Sequence, residues 1–150
     1  MDVNATELIV FDPNINCLPT EIGNLHSLTE LRIRYCQSLE SIPPEIGNLI
    51  ALTELSVRYC QNLKSIPPEI GNSRSLTKLD IWNCFNLESI PAEIALLMEQ
   101  GCEIHSDRLD LIEKALEAYY RPRVETLDIV LKHVDLPQDV ANLFANFVWG

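Results

Sequence analysis

Four stretches of this chain repeat one proline-bearing phrase: CLPTEIGNL from Cys17, SIPPEIGNL from Ser41, SIPPEIGNS from Ser65 and SIPAEIALL from Ser89. Each start lies 24 residues after the one before (17, 41, 65, 89). A fixed period of this length constrains the fold more than any other property of the sequence, because each unit must meet the same packing task as its neighbours. Three consecutive units can be written out: EIGNLHSLTELRIRYCQSLESIPP (21–44), EIGNLIALTELSVRYCQNLKSIPP (45–68) and EIGNSRSLTKLDIWNCFNLESIPA (69–92). Apolar residues recur at matching places, in the first unit Ile22, Leu28, Leu31, Ile33, Cys36, Leu39 and Ile42. A single 24-residue unit cannot bury its own apolar side, so the units must stack into a coil.

The middle of each unit alternates apolar and polar residues and predicts a short strand. In LRIRY, Leu31 and Ile33 then face inward while Arg32 and Arg34 face outward. The IPPEIGNL ending cannot be strand interior, since two prolines would remove ladder donors. It predicts one helical or 3₁₀ turn with proline near its first position, and its glycine reads as turn punctuation. Stacked strands give a parallel sheet on one face of the coil and short turns on the other.

The spacing L-x-x-L-x-[IV]-x-x-C-x-x-L-x-x-I-P resembles the leucine-rich-repeat family, with Cys where that family uses Asn or Cys. The LPxxIGNL ending is most similar to repeats of plant intracellular immune receptors and bacterial leucine-rich-repeat effector proteins. The resemblance spans roughly residues 6–105. It implies an α/β class solenoid: a parallel concave sheet, short helical or 3₁₀ turns on the convex side, and a C-terminal helical cap. It also implies protein binding rather than catalysis.

The edges of the array depart from the pattern. Shifting back by 24 places Ile9 under Ile33, Val10 under Arg34 and Glu7 under Leu31, so residues 4–20 read as an imperfect first unit. EIALLMEQG looks helical and leads to a last strand, CEIHS, at 102–106. The domain division expected is a solenoid over 1–105 and a helical module over 106–150. In that module SDRLDLIEKALEAYYR predicts a helix with Ser106 as N-cap and Leu109, Ile112, Leu116 and Tyr119 on one stripe. Pro122 and Pro137 delimit two further helices, with Val124, Leu127, Val130, Leu131 and Val134 on one stripe and Val140, Leu143, Phe144 and Phe147 on the next. The module reads as a cap over the end of the coil. A second reading comes from ETLDIVLKHVDLPQDVANLFANF, which resembles the suppressor-of-cytokine-signalling box in Leu127 and Leu136-Pro137. It lacks that motif's Cys, and the resemblance would imply recruitment of ubiquitin machinery.

Charge and composition exclude several classes. With 22 acids against 11 bases the net charge is -11, the wrong sign for phosphate-backbone binding, so no nucleic acid is expected. No apolar run is long enough to span a membrane. The start MDVNATELIVFDPN has no basic n-region, and with five cysteines unlike a disulfide framework the expected place is the cytoplasm, or a host cell after translocation. Cys36, Cys60 and Cys84 form a column that reads as a structural ladder of packed thiols, with no metal and no cofactor. No G-x-S-x-G, phosphate loop, H-E-x-x-H or C-x-D is present, so no enzyme is expected.

The candidate site is the outward face of the sheet. Reading by the period, one row holds Val10, Arg34, Arg58 and Trp82, and the next Phe11, Tyr35, Tyr59 and Asn83. A third row holds Leu8, Arg32, Ser56 and Asp80, and a fourth Thr6, Glu30, Glu54 and Lys78. Arg, Tyr and Trp are the residues enriched where proteins bind one another. Arg32, Arg34, Tyr35, Arg58, Tyr59, Trp82 and Phe11 are therefore the expected partner-binding residues, and an acidic segment of another protein the fitting partner. The opposing reading is that rungs satisfy each other, with Arg stacked on Tyr or paired with Glu30 and Glu54. A structural or self-associating role, using exposed aromatics or the Phe147-Val148-Trp149 tail, is the competing class, and the sequence leaves the oligomeric state open.

Overall fold

The computed structural model describes residues 4–121, and the first compact unit of the chain runs to Tyr119. Within it five strands form one parallel sheet in chain order: β1 (Glu7–Val10), β2 (Glu30–Arg34), β3 (Glu54–Arg58), β4 (Lys78–Trp82) and β5 (Glu103–Ser106). Three 3₁₀ turns, Thr20–Asn24, Pro44–Asn48 and Pro68–Asn72, return the chain between strands. Pro43 and Pro67 precede the second and third turns in extended conformation, and Pro44 and Pro68 open them at the position where a missing N–H costs nothing. After β4 the turn is replaced by helix α1 (Ile94–Glu99), and after β5 comes helix α2 (Leu109–Tyr120). The expected helices beyond Pro122, with the stripes and the tail assigned to them, lie outside the described residues.

The core is the set of positions that the period aligns. Leu31, Ile33, Leu55, Val57, Leu79 and Ile81 are fully buried from the sheet side, and Ile22, Ile46 and Ile70 from the turn side. The repeated Thr serves the backbone as well. Thr29, Thr53 and Thr77 each donate their hydroxyl to a carbonyl one rung back, those of Thr6, Thr29 and Thr53, at 2.9, 3.0 and 3.1 Å.

The repeated glycine has a different reason from the punctuation expected of it. A Cβ on Gly47 would lie 2.5 Å from the Glu69 carbonyl oxygen, and one on Gly23 or Gly71 would lie 2.8 Å from the Cβ of Glu45 or Glu93. These glycines let adjacent turns approach to backbone contact. Gly101 is the opposite case: its φ is +85° and nothing lies within 4 Å of a Cβ placed there.

The first rung corrects the register read by period. Glu7 pairs with Glu30, Leu8 with Leu31, Ile9 with Arg32 and Val10 with Ile33, an offset of 23 rather than 24. The Thr6 carbonyl accepts the N–H groups of Thr29 and Glu30, as the Thr29 carbonyl accepts those of Thr53 and Glu54. By the Cys17–Ser41 bridge the offset has returned to 24, so the loop between β1 and Cys17 is one residue shorter than its counterparts. Because side chains alternate, this single residue turns Leu8 and Val10 inward and Ile9 outward, reversing the expected faces. At the other end β4 and β5 pair with an offset of 25 (Lys78 with Glu103), the extra residue being absorbed where α1 replaces a 3₁₀ turn.

The stripe of α2 is also corrected. Leu109 is exposed, and the buried face carries Leu111, Ile112, Ala115 and Leu116. Ser106 ends β5 and accepts the Arg108 N–H at 3.0 Å, so the helix begins later than expected. The Arg108 guanidinium reaches back to the carbonyls of Leu87, at 2.7 Å, and Phe85, at 3.3 Å, and ties the start of α2 to the loop after β4.

Candidate functional site: the outward face of the sheet

Three rows of side chains cross the outward face. The first is Glu7, Glu30, Glu54, Lys78 and Glu103, and the second Ile9, Arg32, Ser56, Asp80 and His105. The third, near the C-terminal ends of the strands, is Arg34, Arg58 and Trp82. One residue further on, Tyr35, Tyr59 and Asn83 all adopt left-handed backbone, with φ of 57°, 59° and 55°. The shortened first rung has no residue in this conformation and offers Phe11 beside them. The Tyr35 and Tyr59 rings stack in parallel with centroids 4.7 Å apart, and Phe11 meets Tyr35 edge-on at 5.6 Å. All three rings remain exposed, as does Trp82.

The cations are not equivalent. Arg32 is held by Glu7 and Glu30, and Lys78 lies 3.7 Å from Glu54. Arg58 donates from Nε to Oδ2 of Asp80 at 2.9 Å and from Nη2 to the same oxygen, and Asp80 raises the guanidinium pKa above its ordinary value. Asp80 itself is almost wholly buried. Arg34 has no acid partner among the described residues, and its Nε is enclosed without a hydrogen bond. Oδ1 of Asp80 and Oγ of Ser56, neighbours across β3 and β4, are enclosed and unpaired in the same way. Enclosed polar groups of this kind cost about 1–3 kcal/mol each until something supplies the bond, so the middle of this face is under-satisfied.

The structure therefore brings Arg34, Tyr35, Arg58, Tyr59, Trp82 and Phe11 together on one rim, with Arg32 drawn into a carboxylate pair one row away. Asp80 and Ser56 were not among the residues singled out from the sequence. The signal for Asp80 was an acid at an outward position one strand from Arg58. That it would bond Arg58 diagonally, two residues up the neighbouring strand, is a matter of side-chain reach rather than register.

The thiol column lies on the buried side. Cys36, Cys60 and Cys84 are fully buried, with Sγ at 3.7, 3.9 and 3.7 Å from the carbonyls of Val10, Ile33 and Val57 on the preceding rungs. Burial raises the Cys36 thiol pKa, and the Cys84 thiol together with burial raises that of Cys60. All five cysteines are free. Among the described residues no group of three or more His, Cys, Asp or Glu is placed to hold a metal ion, and no helix is long and apolar enough to cross a membrane.

A family model of the leucine-rich repeat matches residues 27–49 and 51–73. Among solved structures, the leucine-rich-repeat domain of the type III effector XopL is similar at 35% identity over 61% of this chain, with a TM-score of 0.56. A leucine-rich-repeat protein of Leptospira interrogans is 32% identical over 61% of this chain, with a TM-score of 0.49. The chain spans 30% and 22% of the length of those two chains. No curated protein matches it. The repeat model over residues 27–73, the likeness to the XopL domain, the five-rung parallel sheet and the 24-residue period together show a leucine-rich-repeat solenoid fold.

Proposed function

We propose that this protein binds an acidic segment of a partner protein on the rim formed by Phe11, Arg34, Tyr35, Arg58, Tyr59 and Trp82. Leucine-rich repeats are in general protein-interaction modules. The observation that carries the finer reading is the backbone of Tyr35 and Tyr59. Left-handed φ costs an L-residue with a Cβ about 1–2 kcal/mol. The equivalent position of the fourth rung holds Asn83, a residue type that visits this conformation readily. Two bulky rings kept where Asn serves are carried at a local cost, and such strain collects at functional sites. The rings are exposed and stacked beside a cation with no acid partner, so they gain from a partner what the free fold does not give them.

Likeness to the domain of a type III effector supports a module that acts inside a host cell after translocation. Burial of Leu111, Ile112, Ala115 and Leu116 supports a capping role for α2, the start of the helical module from residue 106. The test of the binding surface uses two double variants. Tyr35→Asn with Tyr59→Asn takes the fourth rung's solution and preserves the fold, while Arg34→Glu with Arg58→Glu reverses the charge. Partners captured from the native cell are purified, and their affinity is measured against each variant. A partner that binds both variants as tightly as the parent removes the rim from consideration.

A further inference from the structure

We propose that Arg34 and Arg58 together receive a phosphate monoester carried on an aromatic ring, so that the partner segment presents a phosphotyrosine. The inference rests on the reading of the rim as the binding surface and names its ligand chemistry.

Arg34 and Arg58 are direct neighbours in register on β2 and β3, and adjacent strands lie about 4.8 Å apart. Like charges directly opposite one another destabilise a sheet. Asp80 offsets one of the two charges by taking Nε and Nη2 of Arg58. Nothing among the described residues offsets the other, and Arg34 Nε is enclosed with no partner. The pair with Asp80 therefore keeps one uncompensated positive charge, in a chain whose net charge is -11.

A carboxylate carries one negative charge and two oxygens, which the fork of one guanidinium can engage together and whose charge it balances. Arg58 already spends its Nε side on Asp80, so a Glu or Asp of the partner would use Arg34 and leave the pairing of the two arginines without purpose. A phosphate monoester carries roughly -1.5 to -2 charges near neutral pH and three acceptor oxygens. It can take the terminal N–H groups of Arg34, whose Nε is enclosed, and the outer N–H groups of Arg58 at once. The neighbouring column then decides what carries the phosphate. Phe11, Tyr35 and Tyr59 run beside the arginine row as an exposed ring surface, against which an aryl group can lie while its phosphate meets the guanidiniums. A phosphoserine would leave these rings uncovered. The acidic row of Glu7, Glu30 and Glu54 towards the other ends of the strands keeps the anion on this rim.

The test is a titration of the full chain, labelled with nitrogen-15, with phenyl phosphate, phenylacetate and inorganic phosphate, following backbone amides and arginine Nε–H signals. The expected result is saturable shifts at the Nε–H of Arg34 and Arg58 and at the amides of Tyr35 and Tyr59. Phenyl phosphate should bind at least about tenfold tighter than either comparison, and tighter at pH 7 than at pH 5, since its second ionisation lies near pH 6. Arg34→Gln should weaken binding about tenfold or more while signals elsewhere keep their positions, as expected for loss of a charge-assisted contact. Absence of saturable shifts, equal affinity for phenylacetate or inorganic phosphate, or shifts that map away from the rim would overturn the proposal. If phenyl phosphate fails while partner binding still depends on the rim residues, the phosphate chemistry is wrong and the surface is right. If partner binding ignores both double variants, the surface itself is wrong.

Discussion

Gly47→Ala separates two explanations of the repeated EIGN glycine by the sign of its effect. If the glycine only punctuates a turn, alanine should stabilise the protein by about 0.4–1 kcal/mol through the unfolded chain. The structure predicts the reverse. The added Cβ would sit 2.5 Å from the Glu69 carbonyl oxygen and 3.0 Å from the Glu69 Cβ, both rigidly held in the next turn. Relief requires prising two rungs apart by several tenths of an ångström, and overpacking of this kind costs about 1–3 kcal/mol. For a domain of this size 2 kcal/mol corresponds to a fall in Tm of roughly 4–8 °C. Thermal and urea unfolding followed by circular dichroism reads both signs. Gly101 is the internal control, because there the difficulty is φ and not space. Gly101→Ala should cost about 1–2 kcal/mol, and Gly101→Asn should recover most of it, whereas Gly47→Asn should be no better than Gly47→Ala. A Gly47→Ala protein at or above the parent Tm would refute the close-approach account.

Other outcomes follow from the same structure. Ser73 takes the place that Leu25 and Leu49 fill in the earlier turns, and its hydroxyl is enclosed without a partner; Ser73→Ala should raise stability by about 1 kcal/mol, the lower end of the cost of such a group. In the native protein a charged thiol reagent at pH 8 should label exposed Cys17 rapidly and the other four cysteines only as the protein unfolds. Burial pushes the Cys102 thiol pKa up to about 11 from its ordinary value of 9.0. The folded state thus holds its proton more tightly, so the stabilisation is complete below about pH 9 and is lost as pH rises from there to 11. Cys102→Ala should flatten this part of the stability curve, and an unchanged slope would assign it elsewhere.

Much of the fold was legible because the three middle units are near-copies, and identical sequences on adjacent rungs must pack identically. The inward Leu, Ile and Val, the buried Cys column, the proline-opened turns and the outward Arg row follow from the period and strand alternation. The same argument fails where a rung has only one neighbour. One residue fewer between β1 and Cys17 shifted β1 and exchanged its faces, and α1 in place of a 3₁₀ turn lengthened the last step to 25. The period cannot locate such a change, because backbone hydrogen bonds to the next rung select the register.

The candidate site divides along the same line. That Arg34, Arg58 and Trp82 share a face is a property of strand alternation, and the sequence alone determined it; Tyr35 and Tyr59, each one residue on, reach the same rim through left-handed backbone. Which arginine is satisfied is not, since Arg58 finds Asp80 diagonally across β3 and β4 while Arg34 finds no acid among the described residues. The left-handed backbone of Tyr35 and Tyr59 is likewise invisible to pattern, because Tyr is not a residue that signals it. Sequence determined the rungs and their faces, which depend on spacing along the chain. Tertiary structure decided the end registers, the reason for each glycine and the unpaired charge, because these depend on how closely neighbouring rungs approach and how far their side chains reach.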